Sequence, residues 1–81
     1  MTEYGVFASD GMPYYMGYGK TARYLVYKSK AAAIKRAKSV SLEARGNRKK
    51  PVKVCVYEVS GYDVDGRPVK KPRSKIATVM E

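Results

Sequence analysis

The sequence predicts an α+β fold: a single small basic domain over residues 1–81 with the order β-β-α-β-β, its antiparallel sheet carrying one amphipathic helix packed on one face. Three observations lead there. Lys30 to Arg45 is a run of strong helix formers without Pro or Gly. Val52, Val54 and Val56 alternate with Lys53, Cys55 and Tyr57, the period of two expected of a strand with one buried face. Aromatic and β-branched segments bounded by turn residues stand before the helix and after it.

Tyr4 to Ala8 is short and aromatic and runs into Ser9-Asp10-Gly11 and Pro13, which marks a first strand ending in a turn. A connector rich in Gly and Tyr, Gly11 to Lys20, precedes a second strand at Ala22 to Tyr27, and a long-looped hairpin is the simplest pairing of the two. Ser29 is placed to cap the helix, and Gly46-Asn47 to stop it. Within it Ala33, Ile34, Ala37, Val40, Ser41 and Ala44 share one face, and Lys35, Lys38, Leu42 and Arg45 another. The small residues of the first face bring the helix axis close to a sheet, so the valines of the third strand must supply the bulk. Asp65-Gly66 signals a hairpin turn after Val59. In the returning limb Pro68 and Pro72 have no N–H to donate, which makes it irregular or an edge until a last strand at Lys75 to Met80. No internal repeat, low-complexity tract or dividing linker interrupts the chain.

Eighty-one residues are too few for a multidomain enzyme. A hydrophobic share of 44% with eight tyrosines is too rich for a disordered basic tail. Cys55 is the only cysteine, which excludes an internal disulfide or a Cys-rich zinc site and fits a reducing, cytoplasmic setting. The start has no basic segment followed by an apolar one, and no run approaches the roughly 18 apolar residues of a membrane-spanning helix. Binding at a membrane surface is disfavoured because the helix's apolar face lacks Phe, Trp and multiple Leu.

The residues offer no catalytic or metal chemistry. There is no His, the single Cys lies within a strand, and the carboxylates are scattered, so no nucleophile and base pair emerges, and no cofactor is implied. Gly19-Lys20-Thr21 matches the end of a phosphate-binding loop, but Tyr14 stands where its first glycine belongs. Asp63 and Asp65 before Gly66 match part of a calcium loop, yet Arg67 occupies the next ligand position and the bidentate Glu is missing.

Charge is the informative signal. Seventeen Lys and Arg against seven Asp and Glu give +10, and the isoelectric point is near 9.9. From Lys20 to Lys53 twelve basic residues face one acid, Glu43, and a second group from Arg67 to Lys75 has none. An acidic spot is expected at one hairpin end, from Glu58, Asp63 and Asp65. A basic helix with flanking basic segments can track a phosphate backbone and release its condensed counterions. The candidate nucleic-acid contacts are Lys20, Arg23, Lys35, Lys38, Arg45, Arg48, Lys49, Lys50, Lys70, Lys71 and Arg73. Tyr14, Tyr15 and Tyr18, interleaved with Gly and followed by Lys20 and Arg23, are the candidates for stacking on unpaired bases; the competing reading folds their rings over the core. The expectation is a small non-catalytic nucleic-acid-binding protein, with DNA and RNA, single and double strand alike eligible. The alternative is a protein-interaction module, a compact accessory or inhibitor of the sort mobile elements encode, whose basic face meets an acidic partner. One helix covers one sheet face only, so the other, including Cys55, Tyr57 and Val59, is expected to be solvated or to pair with a partner such as a second copy.

Overall fold

A computed structural model describes residues 2–17, 19–46 and 52–81. Its strands are β1 (Glu3–Ala8), β2 (Tyr15–Met16), β3 (Arg23–Tyr24), β4 (Val26–Tyr27), β5 (Lys53–Tyr62) and β6 (Pro68–Met80), with one helix, α1 (Lys30–Arg45), and a 3-10 turn at Gly19–Thr21. Four strands form one sheet in the order β4-β1-β5-β6, and β2 and β3 pair as a separate ribbon. Every pairing in the four-stranded sheet is antiparallel. The α+β domain expected from the sequence is therefore present, with the ribbon inserted into its first hairpin. The Cα radius of gyration is 12.2 Å, against roughly 11.7 Å for a compact chain of this length.

The helix has the bounds its sequence implies. The Ser29 Oγ accepts a hydrogen bond from the Ala32 amide at 3.3 Å, and Gly46 closes the other end at φ 53° by donating to the Leu42 carbonyl. β4 and β5 both run antiparallel to β1 and lie on its two sides, so α1 is the crossover that joins them. Its fully buried Ala33 and Ala37 lie against Val6, Val54 and Val56, with Leu25, Val40 and Val79 completing the core. The β5 valines thus face the helix, as their alternation implies. Ser41, also fully buried, donates to the Val52 carbonyl and accepts from the Glu81 amide, tying α1 to both sequence ends of the β5–β6 hairpin.

The second strand is split where the sequence reads as continuous. Leu25 gives its carbonyl to the Val6 amide and its own amide to the Tyr14 carbonyl, so the chain changes partner there. Beyond it Val26 and Tyr27 pair with Gly5 and Tyr4, while Arg23 and Tyr24 pair with Met16 and Tyr15. The connector is therefore not a plain loop. β6 is the edge strand that its prolines require, but it starts at Pro68 rather than Lys75. Its register jumps from Tyr57↔Lys75 to Val59↔Lys70, leaving residues 71–74 bulged out with Arg73 at φ 60°. Ser74 fills the gap, its Oγ accepting from the Glu58 amide and donating to the Lys71 carbonyl. At the hairpin tip the Asp63 carboxylate accepts from the amides of Asp65 and Arg67, and Gly66 takes φ 80°.

The helix-free face is not the open surface expected. Phe7 and Cys55 are buried there, and the Phe7 ring meets Tyr57 edge-on with centroids 5.6 Å apart. Gly5 leaves room for that ring: a Cβ at this position would lie 2.7 Å from Phe7 Cε1. Lys70 crosses the same face, its Nζ 4.8 Å from the Tyr57 ring centroid. Tyr57 and Val59 on the same face are half-buried.

Candidate nucleic-acid interface

The structure distributes the candidate cations over three places. Lys35 and Lys38 are exposed, three residues apart on the outward side of α1, with half-exposed Leu42 beside them. Lys20, in the 3-10 turn, and Arg23, on β3, are exposed on the ribbon beyond the β4 edge. Lys70, Lys71 and Arg73 lie on β6 at the opposite edge, three strand spacings away, or about 14 Å. The candidate cations of the two edges are thus divided by the width of the sheet. Arg45, in the last helical turn, is half-buried, with its Nε buried and lacking a hydrogen-bond partner among the described residues. Arg48, Lys49, Lys50 and Tyr18 lie outside the described residues.

The two edges differ electrostatically. On the β6 side Lys71 approaches Glu58 at 3.9 Å and Lys70 covers the Tyr57 ring. The nearby hairpin tip carries Asp63 and Asp65, the latter 3.7 Å from Arg67, which is the acidic spot expected from the sequence. On the ribbon side, Lys20, Arg23, Lys35 and Arg36 have no ion-pair partner among the described residues.

The tyrosines are sorted by the ribbon's pairing. Tyr14 is half-buried against the core, its amide bonded to the Val6 carbonyl. Burial, and secondarily the Asp10 carboxylate, push its phenol above the ordinary tyrosine range. Tyr15 points out and is 62% exposed, its ring 6.0 Å from that of its cross-strand partner Tyr24. Of the neighbours Tyr14 and Tyr15, therefore, one packs against the core and the other is exposed.

Three adjoining open clefts lie along the ribbon, β4 and the helix. The first, about 490 Å³, runs along Arg23 to Tyr27 with Met16 and Gly17 at its rim. The second, about 270 Å³, separates Tyr14, Tyr15 and Met16 from the helical Arg36, Val40, Glu43 and Ala44. The third, about 320 Å³, lies between Tyr27 and the helical residues Ala32, Lys35, Arg36 and Ser39. Arg36 borders the second and third, and its Nη2 faces the Met16 thioether. In the sequence Arg36 is only one charge in the run from Lys20 to Lys53. Its place four residues before Val40 marks it as flanking the buried face, but Met16 reaches it only through the tertiary fold. Tyr24 and Tyr27 stand in the sequence simply as residues of the second strand.

Among the described residues no group of three or more His, Cys, Asp or Glu side chains is placed to hold a metal ion. No helix there is long and apolar enough to cross a membrane. No protein-family model, curated protein or solved structure matches the chain.

Proposed function

We propose that this protein binds nucleic acid without catalysing a reaction on it, mainly through phosphate contacts and with tyrosine stacking in support. The observation that carries this reading is the surplus of unpaired cations. Of the seventeen Lys and Arg side chains fourteen are described, and among the described residues only Arg67 and Lys71 have a carboxylate within ion-pairing distance. Such a surplus repels itself in the folded chain, and a polyanion relieves that repulsion while releasing its own counterions. The exposed Tyr15 and its partner Tyr24, beside Arg23, add ring faces that unpaired bases can use.

The test is fluorescence anisotropy with labelled single-stranded and duplex DNA and RNA at about 50 and 200 mM salt, between which several phosphate contacts change affinity by orders of magnitude. The double variant Lys35→Glu/Lys38→Glu, altered on the outward helix face, is expected to keep its fold and to bind more weakly with a shallower salt dependence. Absence of binding to all four ligands at low salt would overturn the reading and assign the basic surface to an acidic protein partner.

A further inference from the structure

Nucleic-acid binding, on which this inference rests, leaves the route of the strand open, and Arg36 narrows it. Its Nη2 faces the Met16 sulfur, a weak acceptor, and among the described residues no carboxylate lies within ion-pairing distance of its guanidinium. A guanidinium without an anionic partner is open to one, and a phosphate oxygen is an acceptor that suits it. The cleft between Tyr27 and the helix is lined by Lys35, Arg36, Ser39, Tyr27 and Ala32. No carboxylate lines it, whereas Glu43 lines the cleft on the other side of Arg36. Across Tyr27 lies the larger cleft formed by Arg23, Tyr24, Leu25 and Val26, with two tyrosines and one guanidinium.

We propose that these two clefts are consecutive subsites for one single strand of nucleic acid: a backbone phosphate held by Lys35, Arg36 and Ser39, and an unpaired base received against Tyr24 and Tyr27 beside Arg23. Tyr27 lines both clefts, so they adjoin along the path proposed for one strand. A duplex keeps its base faces stacked and paired, leaving the tyrosine-lined cleft nothing to receive. The path follows the β4 edge and leaves Lys70, Lys71 and Arg73 of the far edge out of the contact.

The experiment is a 15N–1H NMR titration of the full chain at low salt with an oligothymidylate of about twelve nucleotides, a duplex of the same length, and inorganic phosphate. The single strand is expected to shift the Arg36 Nε–Hε resonance, identified by its loss in Arg36→Lys, together with the amides of Ser39, Tyr27 and Arg23 to Val26. In parallel anisotropy measurements Arg36→Gln and Ser39→Asp are expected to weaken single-strand binding by about tenfold, with the salt slope of Arg36→Gln falling by about one. Arg73→Gln, which removes the same charge from the far edge, is expected to change affinity by about twofold or less. Ser39→Asp leaves Arg36 in place, so the assignment stays testable if Arg36→Gln fails to fold.

Shifts confined to β6 and equal losses for Arg36→Gln and Arg73→Gln would overturn the subsites while leaving nucleic-acid binding intact. Shifts as large from the duplex at equal concentration would overturn the single-strand assignment. Equal shifts from inorganic phosphate throughout both clefts would overturn the base subsite. No shift and no anisotropy change with any nucleic acid would overturn both this inference and the function on which it rests.

Discussion

Replacing Ser41 by Ala removes one oxygen from the place where helix and hairpin meet. Ser41 is fully buried, and its hydroxyl donates to the Val52 carbonyl at 2.6 Å and accepts from the Glu81 amide at 2.9 Å. The substitution leaves no appreciable cavity, so the cost is that of two hydrogen bonds and of the backbone groups that lose them. Each bond contributes about 1 kcal/mol net, and an unsatisfied buried partner costs more. Val52 and Glu81 are both only half-buried, so water recovers part of the loss. The expected destabilisation is about 2 kcal/mol, a large share of the 5–15 kcal/mol typical of a folded domain. With a urea dependence of about 1 kcal/mol per molar for so small a domain, the unfolding midpoint should fall by about 2 M. Leu42→Ala, one residue on and half exposed on the outward face, is the control and should move the midpoint by less than about 0.5 M. Urea unfolding followed by far-ultraviolet circular dichroism measures both. A Ser41→Ala loss below about 0.5 kcal/mol, or one no larger than that of Leu42→Ala, would show that the hydroxyl does not tie the helix to the hairpin.

Two further outcomes follow from the packing and the charges. Gly5→Ala places a Cβ 2.7 Å from Phe7 Cε1 and 3.1 Å from Val59 Cγ2, and the buried Phe7 ring has little room to yield, so a loss of about 1–3 kcal/mol is expected; an unchanged melting temperature would mean that the ring is not held over Gly5. Because the Tyr14 phenol is raised in the folded chain, its contribution to stability is complete below the unfolded value near 10.0 and is lost as pH climbs through the higher folded value. Urea midpoints measured from about pH 9 to about pH 11 should therefore fall more steeply for the native sequence than for Tyr14→Phe, and parallel curves would remove Tyr14 from the alkaline transition.

The backbone elements were largely legible because they rest on local rules. Lys30 to Arg45 has its capping serine and stop glycine in place, and the Val54/Val56 alternation names its own buried face, so helix, third strand and their contact follow from spacing alone. Pro68 and Pro72 likewise announce an edge, since a residue without an N–H is poorly tolerated inside a sheet. The candidate site was legible only as charge and ring content. Leu25 divides its strand because its two backbone groups find partners on different segments, Val6 and Tyr14, and no periodicity within residues 22–27 records that choice. The same division creates the ribbon, turns Tyr15 outward while Tyr14 turns in, and brings Met16 to Arg36 across twenty residues of chain. On the far edge, the β6 bulge and the Glu58 carboxylate set Lys71 and its neighbours apart from the helix cations, although composition counts them all alike. Composition and period therefore determine how much charge and apolar surface the chain carries and which elements it forms. Which cations share a cleft, and which are held by their own chain, depends on register between distant segments, where hydrogen-bond partners and packing volume are chosen only once the sheet is assembled.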